Sequence, residues 1–264
     1  MNGKVVSLAS DFKHFFDVCI ASTPERLAEV YGLRYRVYCE EFGYEAGENF
    51  PNRQESDEFD GLSLHCLLIH KPSGLSAGCV RLVLGSDSRQ LPMEKFCREA
   101  IEPDRQRSLA YTRSMACEVS RLAVDKRFRR RAGEDMTRFG RVLGSEASER
   151  ELRTFPLIAV AAYLSACALA DLVGRRIGLA MMEPFLPRLL LRSGIRFEQI
   201  GRAIDYHGLR APSVALTESG VRGRRADLRE LSDALHTEFA HDLSPSREQL
   251  RAGEVPLGRG ARQA

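Results

Sequence analysis

No tryptophan occurs among the 264 residues, and no two cysteines stand in a CxxC pair. The seven cysteines (Cys19, Cys39, Cys66, Cys79, Cys97, Cys117 and Cys167) are odd in number and scattered, mostly through apolar segments. That pattern argues against a disulfide framework and predicts reduced core thiols in a cytoplasmic protein. The six histidines show no metal-ligand spacing, so no structural zinc or other metal is expected. A large charge excess is missing as well. The formal net charge of +3 gives no global nucleic-acid signature. No apolar run reaches membrane-spanning length, because Arg175 and Arg176 close the longest one, Phe155 to Val173. The first 13 residues lack the apolar stretch and small-residue cleavage site of a signal peptide, so none is expected.

What is present reads as a mixed α/β chain. Phe15 to Ile20 forms a short strand pattern. Thr23-Pro24-Glu25 then supplies a cap, a first-turn proline and an early acid, which start a helix running to about Phe42. Tyr44 to Gly61 is a long polar loop, a kind of segment that is often functional. Leu64 to His70 and Leu75 to Leu84 are joined by Lys71-Pro72-Ser73-Gly74 as a hairpin. Pro92 to Cys97 suits a short helix, and Cys117 to Val124 a strand. Phe155 to Val173 reads as a buried helix, Ile177 to Met182 as a strand and Pro184 to Arg192 as a short helix. Arg196 to Ile200 and Ser213 to Thr217 are further strands. Strands interleaved with helices place residues 1–218 in one α/β domain. Residues 219–264 are expected to hold one amphipathic helix, on Leu228, Leu231, Leu235 and Phe239, and a disordered tail from Ser244.

The chemistry-bearing residues are charged groups in or beside segments that should be packed, where charge is costly unless paired or used. Glu55, Asp57 and Asp60 precede a strand. Alone they describe a solvated loop; converging, they would bind and deprotonate an amine. Arg34 lies near the apolar face of the first helix, and Arg81 interrupts a strand. Each either contacts substrate or makes a structural salt bridge to the acids, and both readings hold together. In Glu118-Val119-Ser120-Arg121, alternation puts Glu118 and Arg121 on opposite faces unless a bulge brings them together. The basic turn Lys126, Arg127, Arg129, Arg130, Arg131 with Gly133 is either a solvated charge run or a phosphate dock. Phe128 is its only aromatic, too few for a single-strand nucleic-acid site.

Together these residues resemble the acyl-homoserine-lactone synthases and the N-acyl amino acid synthases, which share the GNAT acyltransferase fold. The resemblance runs through Arg34, Tyr38 and Tyr44, then Glu55, Asp57 and Asp60, then Gly78-Cys79-Val80-Arg81-Leu82, then Glu118-Val119-Ser120-Arg121. Tyr44 stands where the family usually has Trp. Farther on, Glu183-Pro184 with Leu186, Gly194-Ile195, Gly201 and Asp205-Tyr206-His207-Gly208-Leu209-Arg210-Ala211-Pro212, together with the basic Arg129-Arg130-Arg131, are similar to acyltransferases of exosortase and PEP-CTERM sorting systems.

The resemblance implies a mixed central sheet, flanked by helices, with a splay between two parallel strands, those of Cys117 and Ile177. A phosphopantetheine arm would enter that splay. No cofactor is implied; acyl carrier protein or coenzyme A brings the acyl cosubstrate. Arg130-Arg131-Ala132-Gly133-Glu134-Asp135 lacks the last small residue of the coenzyme A turn, which favours acyl carrier protein, docked on Lys126 to Arg131.

The implied reaction is aminolysis of a fatty acyl thioester by the amine of an amino acid or similar small acceptor. Glu118, or Glu55 through a water, takes the proton. Arg34 and Arg81 hold the carboxylates or a carboxylate on the acceptor, and Asp57 and Asp60 orient that network. Arg121 belongs to the same catalytic set. Tyr38, Tyr44, His207 and Arg210 fall on the acceptor side, where His207 is equally readable as part of a turn. The Phe155–Val173 helix would flank the acyl tunnel or simply pack in the core. Two alternatives stand beside this reading: a signal synthase that acylates S-adenosylmethionine, and a non-catalytic acyl- or carrier-binding module.

Overall fold

The computed structural model describes residues 7–129, 148–192, 194–216, 226–243 and 247–252. Its strands are β1 (Phe16–Ile20), β2 (Ser63–His70), β3 (Leu75–Leu84), β4 (Ala116–Val124), β5 (Ile177–Met182), β6 (Glu198–Gln199), β7 (Ile204–Asp205) and β8 (Leu209–Leu216). The sheet order is β1-β2-β3-β4-β5-β8-β6, with β7 paired to β8. All of these neighbours are antiparallel except β4 and β5. That parallel pair meets only at Ala116↔Ile177, Cys117↔Gly178 and Glu118↔Leu179. Beyond it β4 stays with β3 and β5 stays with β8, so the two strands part.

Side-chain alternation divides the sheet between two helical layers. Leu64, Cys66 and Leu68 of β2, with Val80, Leu82 and Leu84 of β3, face α6 (Leu157–Leu172), the near-continuous apolar helix foreseen at Phe155 to Val173. A helix at the chain's start, α1 (Leu8–Phe15), joins that layer through Phe12 and Phe15. So does a helix near its end, α8 (Ala226–Asp242), through Leu231, Leu235 and Phe239. Leu67, Ile69 and Cys79 point the other way and meet Val30, Leu33 and Val37. Val30 and Leu33 belong to α2 (Pro24–Tyr35), which is capped by the Thr23 side chain and continues as a π-helical turn, Arg36–Glu41. A third cluster gathers Met93 of α3 (Pro92–Phe96), Phe59, Cys97, Ile101, Leu179 and Ile200.

Several elements depart from the sequence reading. Helix α1 was not foreseen, nor was α4 (Pro103–Thr112). The strand expected to begin at Ser213 starts at Leu209 and forms a tight hairpin with β7. Within the tail expected to lack structure, α9 (Arg247–Arg251) buries Leu250. The remaining short helices are α5 (Glu149–Leu152) and α7 (Leu186–Arg192). No described helix is long and apolar enough to cross a membrane.

Two glycines give opposite expectations. A Cβ on Gly201, bridged to Ile101, would lie 1.9 Å from the Ala100 carbonyl oxygen, whereas one on Gly32 of α2 would meet only Arg36 Nη1 at 3.8 Å. Gly201→Ala is expected to lower unfolding free energy by about 1–3 kcal/mol through overpacking against backbone. Gly32→Ala is expected to raise it by about 1 kcal/mol through helix propensity. Urea midpoints of the two variants, moving in opposite directions, check this.

Candidate active site

The charged residues converge on the α2 face of the sheet, and a bulge is the reason. Arg81 pairs with Ser120 and Cys79 with Ala123, so Arg121 and Leu122 together oppose Val80. Arg121 takes a left-handed φ of 49°. The extra residue returns Leu122 to the α6 side and turns Arg121 toward the acids. Plain alternation would have sent Arg121 to the other face.

Three guanidiniums and three carboxylates then close a ring. Arg34 donates from Nε to Glu55 at 2.5 Å, and from Nη1 and Nη2 to Asp60 at 2.6 and 3.1 Å. Arg81 donates from Nη1 to Asp60 at 2.9 Å and to Asp57 at 2.5 Å, and from Nε to the Ser120 hydroxyl at 3.0 Å. Arg121 completes the circuit to Glu55 at 3.2 Å and Asp57 at 3.3 Å, and also reaches Glu45 at 3.1 Å. Burial works against the charge on Arg34, but Asp60 and Glu55 outweigh it and hold the proton more firmly than usual. Burial likewise opposes ionisation of Asp60, yet Arg34 and Arg81 prevail and keep its carboxyl well below the ordinary range. Burial keeps His65, the cross-strand neighbour of Arg81, neutral by lowering it to about 4.

Beside this ring lies a cavity of about 320 Å³, at the place where β4 and β5 separate. Val119 to Leu122 line one wall, and Ala180 to Glu183 with Leu186 line the other. Asp57, Arg81, Glu118 and Arg121 reach it from the charged side. Tyr38, Phe42 and Tyr44 form an aromatic wall, in which the Phe42 and Tyr44 rings stack at 5.1 Å. Tyr38 donates its hydroxyl hydrogen to the Leu122 carbonyl at 3.0 Å. Tyr206, His207 and Arg210, from the β7–β8 hairpin, close another side.

Glu118 is the notable acid. It is buried, and its Oε2 accepts from the Met93 N–H at 2.8 Å. Burial pushes its carboxyl up from 4.5 to about 7, with the Met93 N–H and Arg81 pulling less strongly the other way. Such a group exchanges a proton near neutrality.

The structure redistributes several sequence-based roles. Glu55 does not line the cavity, and both of its oxygens are taken by Arg34 and Arg121, as a counter-ion; Asp57, Glu118 and Glu183 are the carboxylates in the lining, and of these Asp57 is paired with Arg81 and Arg121. Arg34 and Asp60 lie beneath the cavity as well, and Arg34 has no free edge to offer a ligand. From α6, Tyr163 alone reaches the cavity, so this helix is packed core rather than a tunnel wall. In the basic turn, Arg127 is clasped by Asp125 and Arg129 pairs with Glu41, while Lys126 is exposed. Arg130, Arg131 and Gly133 lie outside the described residues. Two participants were missed: Glu45, for which only its place beside Tyr44 was a signal, and the Met93 N–H, which nothing in the sequence marks. Among the described residues no group of three or more His, Cys, Asp or Glu is placed to hold a metal ion.

Comparison with known proteins agrees with this architecture. The acetyltransferase (GNAT) domain family matches residues 33–138. The chain is similar to TofI, solved in a ternary complex with an inhibitor and MTA, at 20% identity and TM-score 0.54 over 84% of this chain and 99% of that one. It is similar to BjaI, a CoA-dependent acyl-homoserine lactone synthase solved with SAM and isopentyl-CoA, at 15% identity and TM-score 0.52 over 84% and 89%. It is also similar to FeeM, an N-acyl amino acid synthase from uncultured soil microbes, at 15% identity and TM-score 0.52 over 81% and 97%. No curated protein sequence matches the chain. The fold is the GNAT fold: a mixed sheet, one parallel pair and flanking helices.

Two stability measurements test the electrostatics. Arg34→Met leaves Glu55 to Arg121 alone and Asp60 to Arg81 alone, with one buried negative charge in excess, so unfolding free energy should fall by about 3–5 kcal/mol. For Glu118 the folded-state value lies above the unfolded one. Between about pH 4.5 and 7 the unfolded chain releases this proton while the folded chain keeps it, so the group's contribution to stability is lost as pH rises. Glu118→Gln removes that loss. Its stability relative to wild type should grow by on the order of 3 kcal/mol over this window and then level off, as read from urea unfolding at several pH values.

Proposed function

We propose that this chain is an acyltransferase that moves a fatty acyl group from a phosphopantetheine thioester to an amine. The observation that carries this reading is Glu118, poised near neutrality on a cavity opened by the parting of β4 and β5. The donor's arm enters the splay, where backbone groups on the facing edges of β4 and β5 lack a strand partner, and an N–H of β4 polarises the thioester carbonyl. The apolar side of the cavity, with Phe42, Tyr163, Met181 and Leu186, receives the start of the acyl chain.

The acceptor enters as an ammonium and must lose a proton before it is a nucleophile; ionised Glu118 takes it. The amine nitrogen attacks the carbonyl carbon, the C–N bond forms, and the C–S bond breaks. The sulfur leaves with a proton and the nitrogen sheds its second one, so the products are amide and thiol. Transfer is direct. Burial raises Cys97 and Cys117, which flank the site, to about 12, so neither supplies a thiolate to carry the acyl group.

Two acceptors fit. A free amino acid is supported by the residue motifs and by the likeness to FeeM, an N-acyl amino acid synthase. S-adenosylmethionine is the acceptor that the resembling structures favour, since BjaI was solved with SAM and TofI with MTA. The donor is acyl carrier protein or coenzyme A; BjaI was solved with isopentyl-CoA. With Arg127 and Arg129 already paired inside the chain, Lys126 is the described cation of the basic turn left for a carrier's acids. The link to exosortase-associated acyltransferases rests on sequence motifs alone, those between Glu183 and Pro212 and the basic Arg129-Arg130-Arg131.

Turnover with purified acyl thioester tests the reading. Glu118→Gln should lower kcat at least about 100-fold with little change in donor KM. The wild-type rate should climb as pH passes about 7 and Glu118 ionises, and the variant should lack that climb. Unchanged turnover in Glu118→Gln removes the proposed base. With labelled S-adenosylmethionine as acceptor, release of methylthioadenosine selects the signal-synthase reading; acylation of free amino acids without that release selects the other.

A further inference from the structure

Charge accounting around the cavity singles out Arg210. Arg34, Arg81 and Arg121 are each neutralised by carboxylates in the buried ring. Arg210 lines the same cavity and has no carboxylate partner among the described residues. Its Nε donates to the carbonyls of Tyr206 and His207 at 3.0 and 3.3 Å, and its Nη2 to that of His207 at 3.2 Å. Among the described residues Nη1 and the second hydrogen of Nη2 have no partner, and that is the edge that grips a carboxylate with two parallel hydrogen bonds.

The surrounding hairpin is built to hold this fork. His207 adopts a left-handed φ of 53°, an uncommon conformation for a residue with a Cβ, and its carbonyl receives two Arg210 bonds. Gly208, also left-handed, donates its N–H to Asp205 Oδ1 and accepts from the Tyr206 N–H. The Tyr44 ring lies 5.8 Å from the guanidinium carbon. Across the cavity's lining, Glu183 is an acid with no ion pair among the described residues. One unneutralised cation and accessible acids suit a ligand that carries a carboxylate and an amine together.

We propose that Arg210 is the specificity determinant that reads a carboxylate on the acceptor, restricting the enzyme to α-amino acids and molecules containing that unit. This rests on the acyl-transfer reading and narrows it: the acceptor is a zwitterion anchored by its carboxylate, with its ammonium presented to Glu118. Free amino acids and S-adenosylmethionine both qualify, whereas simple amines do not. Arg34 lies beneath the cavity with its donors turned to Glu55 and Asp60, and Arg81, which does reach the cavity, is already charge-balanced by Asp57 and Asp60, so Arg210 is the cation left for a ligand's carboxylate.

The test uses pairs that differ only in the carboxylate: L-tyrosine and tyramine, S-adenosylmethionine and its decarboxylated form. Binding to the full chain is measured by equilibrium dialysis, and acyl transfer is measured separately with an acyl thioester donor. Wild type should prefer the carboxylated member of at least one pair by roughly 10- to 100-fold. Arg210→Gln should bring that ratio to near one, Arg210→Lys should restore part of it, and the donor KM should stay unchanged in both. Equal handling of both members by wild type, binding of none of the four probes, or a preference that survives in Arg210→Gln would overturn the proposal. Acylation of tyramine as readily as tyrosine sinks the role of Arg210 while acyl transfer stands. A carboxylate preference in binding, lost in Arg210→Gln, with no acylation of any amine keeps Arg210 as receptor and sinks acyl transfer.

Discussion

The site depends on the bond between Arg121 and the acids of the Tyr44–Gly61 loop. A left-handed residue with a long side chain is unfavourable in a strand unless something holds it. Here Glu55 and Asp57 hold it, and they are themselves fixed by Arg34 and Arg81. The bulge that results bends β4 just beyond its last pair with β5. Closing the gap would require flattening the bulge, and flattening it would return Arg121 to the α6 side beside Val119. An unpaired guanidinium there has no carboxylate to meet. The ion ring therefore fixes the sheet's geometry as well as its charge, and the cavity is the volume left by two strands that cannot rejoin.

The same ring sets the electrostatics of Glu118. Had the three arginines been free, their fields would have driven that carboxyl far below neutrality. Each is already matched to a carboxylate, so the field at Glu118 is small and burial dominates. The single N–H from Met93 offsets part of the desolvation and leaves one oxygen toward the cavity. A base of this strength strips an ammonium only when the acceptor is held beside it, which makes a separate anchor for the acceptor a chemical requirement.

Much of this was legible in the chain. Thr23-Pro24-Glu25 marked the start of α2, and Lys71 to Gly74 marked the β2–β3 turn, because caps and tight turns demand particular residues. Arg34, Glu55, Asp57, Asp60 and Arg81 were legible as a set because charge inside apolar segments must find partners. The side on which Arg121 falls was not legible: a bulge is one extra residue in the register, and a period-two pattern reads the same with or without it over so short a stretch. Nor was the difference between Glu55 and Glu118 visible, since which acid spends its oxygens on arginines is a matter of distances across the sheet. The β7–β8 hairpin hid because β7 has only two residues and Pro212 interrupts the pattern of β8.

The apolar helix α6 takes the packed-core reading, one of the two that its composition allowed. Ala162, Ala166 and Ala170 leave space on one face, and that space is filled by protein: the residues are buried in the core between β2–β4 and α8. Small residues permit close approach of backbones, and close approach removes the room a fatty chain would need. In the proposed reaction the acyl group would therefore follow the gap between β4 and β5, toward Met181, Met182 and Leu186, whose side chains adapt more readily than a packed alanine face. The proposed direct transfer needs donor and acceptor present together. On that reading the donor's arm and chain would follow the strand gap and the acceptor would be met by the hairpin turn, so neither would have to leave before the other arrives.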